Sequence, residues 1–257
     1  MTLRIVNTDL HIHTCLSPCG DLSMGPRSIV ETASRRGLDA IGISDHNSSE
    51  NAPAVMAAAR GSPLAVLQGM EVTSKEEVHI LALFDSVEQA FRLQRIVYDH
   101  LPGRNDPDVF GLQVVVNEDH DVLGFNDRLM AGAADLSVGQ VVDAIHALDG
   151  LAIACHVDRE TFGIIGQLGF IPESLPLDAL EFSRNTTIED ARRRFQEYSR
   201  WAFVRSSDAH SPEEIGIAAT PMLLDGVSVG EIRKAFLGQE GRRVGWPSRD
   251  RRERQES

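Results

Sequence analysis

The stretch Thr8–Asp21, which reads TDLHIHTCLSPCGD, places two histidines two residues apart directly behind an apolar run. That run, Ile5–Leu10, has the composition of a short buried β-strand. Because side chains alternate between the two faces of an extended segment, His11 and His13 are expected on one side and Ile12 on the other, facing the core. The stretch therefore predicts a strand that ends in a pair of imidazoles.

The size and composition of the chain are those of a globular α/β protein. Its 257 residues fit a single barrel, and an apolar fraction of 42% with 5% aromatic residues predicts a core of Leu, Ile, Val and Ala. Three cysteines are too few for a disulfide framework and no apolar run is long enough to span a membrane, so a cytoplasmic location is expected. The net charge of −13 argues against membrane binding and against extended, charge-driven DNA binding.

Strand-like apolar runs alternate with amphipathic, helix-like segments along the chain. The expected strands are Ile5–Leu10, Ala40–Ser44, Ala65–Gly69, His79–Phe84, Leu151–Cys155, Ala179–Phe182 and Phe203–Ser206. The expected helices are Pro26–Arg36, Ser49–Arg60, Val87–Tyr98, Val138–Leu148, Thr187–Tyr198 and Ser228–Leu237. Repeated strand-then-helix units predict parallel strands with helices outside them.

Two regions break this alternation. Residues 101–132 are rich in Gly, Asp, Asn and Pro around one strand-like run, Gln113–Val116, and are expected to form an irregular excursion at the rim of the substrate pocket. Residues 241–257 are rich in Arg and Glu and are expected to form a loose, charged C-terminal tail. The barrel domain is therefore expected to cover residues 1–240.

Acids and histidines stand at the ends of successive predicted strands. They are His11 and His13, Asp45 and His46, Glu71, His156, and Asp208 and His210, while His79 opens its own strand. In an α/β barrel the carboxyl ends of the strands meet at one face, where active sites are built. Loop starts are enriched in acids, but that enrichment does not account for six histidines. Imidazoles with carboxylates suit Mn, Fe or Zn, and their number predicts two or three divalent ions.

The ordered set of these residues resembles the PHP family, the polymerase and histidinol phosphatase domains. The pattern is His11-x-His13, Asp45-His46, Glu71, His79, His156 and Asp208-x-His210, and it spans about residues 3–215. The resemblance, strongest to stand-alone TrpH-like members, implies a distorted (β/α)7 TIM-like barrel. It also implies a trinuclear metal centre and hydrolysis of phosphate esters.

The resemblance also implies which side chains hold the metals. One ion would take His11, His13, Glu71 and Asp208, a second would share Glu71 and add His79 and His156, and a third would take His46, His210 and one more acid. In many relatives that acid lies in a Ser-Asp-Gly turn. Here the turn is three residues longer, Ser17-Pro18-Cys19-Gly20-Asp21, so Asp21 is the expected acid and Cys19 is the alternative, as a soft ligand.

Further roles are expected for residues beside these ligands. Arg159 is the first candidate to bind the phosphate, because its planar fork matches phosphate oxygens, and Arg184 and Lys75 follow. Arg159 and His210 are the catalytic candidates. Asp9 and Asp45 are expected to orient ligand histidines, as carboxylates commonly do in metal sites.

The leading function is therefore a metal-dependent phosphoesterase that uses a metal-activated hydroxide on a small phosphorylated substrate. The TrpH-like relatives suggest a nucleotide 3′,5′-bisphosphate or the 5′ end of short RNA. Histidinol phosphate is an alternative substrate, and a non-catalytic, metal-binding regulatory module is an alternative of another class. A metal-dependent amidohydrolase is disfavoured, because those barrels use a late metal-bridging lysine and no lysine lies between Lys75 and Lys234.

Overall fold

A curled sheet forms the centre of the computed structural model, which describes residues 2–245. The strands are β1 (Arg4–Ile12), β2 (Ala40–Ile43), β3 (Ala65–Thr73), β4 (His79–Phe84), β5 (Val114–Val116), β6 (Val122–Phe125), β7 (Leu151–Ala154), β8 (Ala179–Phe182), β9 (Ala202–Arg205), β10 (Thr220–Leu224) and β11 (Arg243–Val244). Within the described residues, nine of them form one sheet in the order β11-β10-β1-β2-β3-β4-β7-β8-β9, and β5 and β6 form a separate hairpin.

The two ends of the β1–β9 ring approach each other, which makes the sheet a nearly closed barrel. Beyond β9, Ala209 forms a parallel bridge with Ile12 of β1, and the N–H of His13 donates to the carbonyl of Ala209 at 3.0 Å. Seven strands, β1 to β4 and β7 to β9, surround the axis, while β10 and β11 extend the sheet beyond β1. The arrangement confirms the predicted distorted, seven-stranded TIM-like barrel.

Helices connect the strands. They are α1 (Pro26–Arg35), α2 (Ala52–Ala58), α3 (Val87–His100), α4 (Pro107–Phe110), α5 (Val138–His146), α6 (Ile164–Leu168), α7 (Ile188–Arg194) and α8 (Val229–Phe236). The helix predicted over Thr187–Tyr198 ends at Arg194 and is followed by a 3₁₀ turn at Gln196–Tyr198. Two short helices, α4 and α6, were not predicted. None of the helices in residues 2–245 is long and apolar enough to cross a lipid bilayer.

Strand β4 runs against its neighbours, which corrects the prediction of parallel strands throughout. It pairs antiparallel with β3, from Thr73 opposite His79 to Gln68 opposite Phe84, and it is also antiparallel to β7. The first residue of an antiparallel strand lies at the same end of the barrel as the last residues of the parallel strands. This reversal explains why a histidine that opens its strand can join those that follow theirs.

A bulge in β1 aims the His-x-His pair. The register between β1 and β2 shifts between Asp9 and Ile12, so one extra residue of β1 lies opposite β2. Bulges of this kind redirect side chains and are common beside active sites. Ile12 packs into the core formed with α1 and β2, as predicted, and His11 and His13 are fully buried at the end of the barrel.

Residues 101–132 are more ordered than the predicted irregular excursion. They contain α4 and the β5–β6 hairpin, where the sequence predicted one strand. The buried side chain of Asn51 anchors the hairpin, because its Nδ2 donates to the carbonyl of Val114 at 2.9 Å and its Oδ1 accepts the N–H of Val116 at 3.0 Å. The segment thereby forms a fixed wall beside the open end of the barrel.

The sheet continues beyond the predicted domain boundary at residue 240. The sequence did not predict β10, which pairs antiparallel with β1, or β11, which pairs with β10. Arg242, 5% exposed, secures this end of the chain, since its Nε lies 3.0 Å from Oε2 of Glu231. Residues 241–245 are therefore part of the folded domain, and the rest of the predicted tail, residues 246–257, lies outside the described residues.

Candidate metal centre

A cavity of about 480 Å³ opens at the barrel end where the strands carry polar side chains. Its lining includes His46, Glu71, His79, His156, Asp208 and His210, with Pro18, Cys19, Val109, Phe110, Arg159 and Phe162 around them. His11 and His13 lie fully buried beside these groups. The structure thus brings together eight of the nine predicted metal ligands, all except Asp21.

Glu71, near the end of strand β3, lies among the imidazoles. Its Oε1 is 2.7 Å from Nδ1 of His79 and 3.2 Å from Nε2 of His156, and its Oε2 is 3.0 Å from Nδ1 of His46. Burial alone would raise the pKa of Glu71, but the positive potential of His79, His11 and His46 holds it well below its usual range. The lowered pKa favours an ionised Glu71, whose two oxygens contact the rings of His46, His79 and His156.

A second carboxylate meets the His-x-His pair. Nε2 of His11 and Nε2 of His13 lie 3.2 Å apart, and Oδ1 of Asp208 is 3.4 and 3.2 Å from them. Burial would raise the pKa of Asp208, yet the imidazoles, His11 first, hold it well below its usual range. Two ring nitrogens and a carboxylate oxygen within 3.4 Å of one another form a natural set of lone pairs for a cation.

The described residues contain four groups of potential ligand atoms, and within each group the atoms lie no more than 4.8 Å apart. They are His13, His46 and His210; His11, His13 and Asp208; His11, Glu71 and Cys155; and His46, Glu71 and His79. In addition, Nδ1 of His156 is buried and has no hydrogen-bond partner among residues 2–245, which is costly for a polar atom unless a ligand meets it. This donor set fits divalent ions such as Mn, Fe or Zn.

Backbone strain accompanies two of the predicted ligands. His156 has φ of 29° and Asp208 has φ of 52°, both in the left-handed region that non-glycine residues rarely adopt. Each residue follows a strand, β7 or β9, and the sharp turn directs its side chain into the cavity. Strain of this type is concentrated at functional sites, where the surrounding structure holds the conformation in place.

Glu181, in the middle of β8, supports the site and was missed by the sequence reasoning. Its carboxylate lies 3.1 Å from Nδ1 of His11, and both side chains are buried. A carboxylate in this position keeps the proton on Nδ1 and leaves Nε2 free for a metal. The signal in the sequence was a single acid inside the apolar strand Ala179–Phe182.

Asp45 supports a ligand through a serine. Oγ of Ser17 donates to Oδ1 of Asp45 at 2.7 Å and lies 2.8 Å from Nδ1 of His13. The serine hydroxyl can therefore accept the Nδ1 proton of His13 and orient the ring. Asp45 thus contacts the predicted ligand His13 only through Ser17, and its orienting role remains a prediction.

Asp9 differs from its prediction, because within residues 2–245 its carboxylate accepts hydrogen bonds from backbone groups and contacts no imidazole. It accepts the N–H of Ser207 at 2.9 Å and the N–H of Gly216 at 2.9 Å. These bonds hold the loop after β9, which carries Asp208 and His210, so Asp9 positions two ligands through the backbone. Burial raises the pKa of Asp9 to about 6, against the opposing effect of its hydrogen bonds.

Asp21 also differs from its prediction. Its side chain is exposed and accepts the N–H of Ser23 at 2.7 Å, away from the cavity. From this loop, Pro18 and Cys19 line the cavity that also contains His46 and His210. Burial alone would raise the pKa of Cys19, but hydrogen bonds from these two imidazoles lower it to about 6.

The three predicted phosphate-binding residues lie in different places. Arg159 lines the cavity, and its side chain is one-third exposed with Nη1 at 2.7 Å from Oδ2 of Asp208. Arg184 instead pairs with Glu214 at 2.6 Å, outside the cavity lining. Lys75 is exposed on the β3–β4 turn and does not line the cavity either.

Apolar side chains that the sequence did not single out form part of the wall. The ring of Phe162 stacks on His79 with centroids 4.4 Å apart and an angle of 16° between the planes. Val109 and Phe110 of α4 also line the cavity, and both are exposed. The cavity therefore has a polar floor and partly aromatic sides.

The comparisons with known proteins agree with this architecture. Residues 9–123 match the PHP domain family. No curated protein gives a significant match to the chain. Among solved structures, the lesion-specific endonuclease PfuEndoQ from Pyrococcus furiosus covers 94% of this chain at a TM-score of 0.72 with 19% identity, and the chain spans only 58% of that protein.

Two shorter solved structures share the fold. A protein assigned as a metal-dependent phosphoesterase from Bifidobacterium adolescentis has a TM-score of 0.55 and 20% identity, over 79% of this chain and 87% of that one. An amidohydrolase from Chromobacterium violaceum has a TM-score of 0.56 and 18% identity, over 82% of this chain and 90% of that one. Residues 9–123 thus match the PHP domain family, and the likeness to these solved structures shows that the chain shares their fold.

Proposed function

We propose that the protein is a metal-dependent phosphoesterase that acts on a small phosphorylated substrate. One observation carries this proposal: six imidazoles and two carboxylates converge at one end of the barrel, directly beside the guanidinium of Arg159. A purely structural polar cluster would not need so many proton-accepting nitrogens around two ionised acids.

The proposed ligands are His11, His13, His46, Glu71, His79, His156, Asp208 and His210, and they would hold two or three ions of Mn, Fe or Zn. Ions bound in such a site lower the pKa of a water molecule and neutralise phosphoryl oxygens. The protein's part is to keep the two carboxylates ionised, as the lowered pKa values of Glu71 and Asp208 indicate. Glu181 and the Ser17–Asp45 pair keep two of the rings in fixed orientations.

Arg159 is the proposed phosphate-binding residue. Its side chain reaches the cavity from the loop after β7, and its only ionic partner among the described residues is Asp208. One edge of the planar guanidinium can stay on Asp208 while the other meets a phosphoryl oxygen. The residue would thereby tie the substrate phosphate to one of the proposed metal ligands.

His210 has a proposed catalytic role as well. Its Nδ1 lies 2.9 Å from the carbonyl of Asp208, so Nδ1 carries the proton and Nε2 is available to the cavity. A nitrogen that binds an ion cannot also protonate a leaving group. Proton donation by His210 would therefore require an Nε2 that is free of metal and carries a proton of its own when the ester bond breaks.

The cavity supports a substrate with a planar group. A volume of about 480 Å³ suits a small molecule, and Phe110 and Phe162 supply aromatic surface beside the polar floor. These features favour a nucleotide 3′,5′-bisphosphate or the 5′ end of a short RNA. Histidinol phosphate is the alternative substrate, although its imidazole finds no distinctive partner among the lining residues.

Cleavage of a longer nucleic acid is a second candidate, because the lesion-specific endonuclease shares the fold over 94% of this chain. The net charge of −13 opposes it, since binding of an extended strand depends on cationic contacts to phosphates. A regulatory, non-catalytic metal-binding module is the remaining alternative.

A substrate panel tests these proposals. Protein reconstituted with Mn, Fe or Zn would be assayed on p-nitrophenyl phosphate, its bis ester, adenosine 3′,5′-bisphosphate, histidinol phosphate, short 5′-phosphorylated RNAs and a lesion-containing duplex. We expect metal-dependent release of phosphate from the nucleotide or short RNA, and loss of that activity in a Glu71→Gln control. Inactivity on every substrate with the metals bound would instead support the regulatory alternative.

A further inference from the structure

We infer that the thiol of Cys19, and not the carboxylate of Asp21, completes a metal position whose other ligands are His46 and His210. The inference rests on the proposed metal-dependent function and deepens it, because it concerns which ion this position selects. A sulfur ligand would make this position chemically different from the two that contain Glu71 or Asp208.

The imidazole cluster beside Cys19 lacks an acid. His13, His46 and His210 have ligand atoms within 4.8 Å of one another, and the rings of His13 and His210 stack with centroids 4.1 Å apart. Each of the other three clusters in the described residues includes Glu71 or Asp208. An ion held by the three imidazoles alone would lack an anionic ligand at this position.

A tight turn presents Cys19 to this cluster. The N–H of Gly20 donates to the carbonyl of Ser17 at 2.9 Å, so Pro18 and Cys19 occupy the two corner positions of a four-residue turn. A Cβ added at Gly20 would lie 2.3 Å from the carbonyl oxygen of Thr14, so the turn can approach the barrel end only with glycine there. Cys19 therefore lines the cavity together with His46 and His210.

The backbone of Asp21 is close to the same cluster, but its side chain forms a hydrogen bond outside the cavity. Its N–H donates to the carbonyl of His210 at 2.8 Å, while its carboxylate turns outward to accept the N–H of Ser23 at 2.7 Å. This loop thus keeps the carboxylate of Asp21 outside the cavity and places Cys19 in its lining.

The chemistry of the ligands gives the consequence. Thiolate with imidazole favours Zn, whereas carboxylate with water favours Mn or Mg. On coordination the thiol gives up its proton to solvent and the sulfur binds as a thiolate. The position formed by Cys19, His46 and His210 is therefore expected to select Zn over Mn.

Cobalt titration of the full-length, metal-depleted protein tests this inference without any measurement of turnover. Co²⁺ bound to a thiolate gives a sulfur-to-metal charge-transfer absorption that nitrogen and oxygen ligands do not give. We expect this absorption in the native protein and its loss in Cys19→Ser, with one equivalent of Co²⁺ bound at least about tenfold more weakly, since even the loss of an outer partner costs about 10–100-fold. Cys19→Asp should again bind this equivalent of Co²⁺ tightly, but without the charge-transfer absorption. It should also bind Mn²⁺ more tightly than the native protein does.

Two matched controls keep the inference falsifiable. Cys15→Ser, at a buried cysteine outside the cavity lining, and Asp21→Asn, at the exposed acid, should both keep the absorption and the stoichiometry. The inference would be wrong if the absorption survived in Cys19→Ser but disappeared in Cys155→Ser. It would also be wrong if Asp21→Asn bound one Co²⁺ ion fewer than the native protein. Failure of the phosphoesterase proposal would be seen differently, as an intact cobalt spectrum in a protein that hydrolyses none of the panel.

Discussion

The carboxylate of Glu181 lies 3.1 Å from Nδ1 of His11, and both side chains are buried. The same carboxylate is 3.4 Å from the backbone N–H of His156. One acid, two strands away from the His-x-His pair, thus fixes the ring of one proposed ligand and the backbone of another. The order of the site depends on this residue even though it does not line the cavity.

Replacement of Glu181 should weaken metal binding. In Glu181→Ala, Nδ1 of His11 loses its acceptor, and we expect an affinity for the tightest ion about 10–100-fold lower, as for other outer partners of metal-bound histidines. Glu181→Gln keeps one acceptor oxygen, so its metal affinity should lie between that of the native protein and that of Glu181→Ala. Competition with a chromogenic chelator measures the effect, and equal affinities in all three proteins would show that His11 needs no such support.

Replacement of Arg159 should affect turnover more than stability. We expect Arg159→Ala to lower kcat/KM for the preferred phosphate ester by about 10²–10³, the usual effect of removing one oriented charge at a reacting centre. Arg159→Lys keeps the charge without the planar fork and should recover part of the loss. Lys75→Ala, at an exposed residue outside the cavity, is the matched control and should leave kcat/KM unchanged, whereas an unchanged value in Arg159→Ala would remove this residue from the site.

Phe110 should contribute to recognition of an aromatic leaving group. Stacking of a base on an aromatic side chain is worth about 1–3 kcal/mol, so Phe110→Ala should raise KM for a nucleotide about 5- to 150-fold with little change in kcat. The KM for glycerol phosphate, which has no ring, should not move. Val122→Ala, in the exposed part of β6, serves as the control, and a parallel rise for both substrates would point to a general loss of the α4 wall.

Metal binding should stabilise the fold, because the site is assembled only in the native state. Added Zn²⁺ at about 100 times its dissociation constant should raise the free energy of unfolding by about 2.7 kcal/mol per site. Glu71→Gln should abolish most of that gain, since Glu71 contacts three of the imidazoles within 3.2 Å. Denaturant titrations with and without the ion measure it, and equal stabilisation of both proteins would mean that Zn²⁺ binds elsewhere.

The positions of the strand ends could be predicted from the sequence, because apolar runs followed by polar residues are local signals. The site was predictable to the extent that its residues follow such runs, as His13, His156 and His210 do. The direction of β4 could not be predicted, since it depends on pairing with β3 through the short turn Ser74–Val78, and pairing direction is not visible in a single apolar run.

The misses at the site have a similar cause. Asp21 and Cys19 are two residues apart, and which of them faces the cavity depends on how the turn before Gly20 packs against Thr14. Asp9 precedes the His-x-His pair, so a direct contact with an imidazole was the simplest prediction, but the loop after β9 comes close enough to take its hydrogen bonds. These outcomes depend on contacts between residues up to 207 positions apart.

The titration of Asp9 gives a pH dependence with a defined sign. Burial raises the pKa of Asp9 from 3.8 to about 6, so between these values the folded protein holds a proton that the unfolded chain has lost. Stability due to this group is therefore fully present below pH 3.8 and is lost as the pH rises to about 6, by about 3 kcal/mol for a shift of this size.

Asp9→Asn removes that titration and should change the pH profile accordingly. The variant loses part of the bonding to Ser207 and Gly216, which gives an offset that is independent of pH. Relative to this constant offset, the free energy of unfolding of Asp9→Asn should rise by about 2.4 kcal/mol compared with the native protein between pH 4 and pH 7. Denaturant unfolding of both metal-free proteins across this range measures the difference, in which the titrations of the shared histidines cancel. Two parallel profiles would contradict this prediction. They would mean that the pKa of Asp9 is the same in the folded protein as in the unfolded chain.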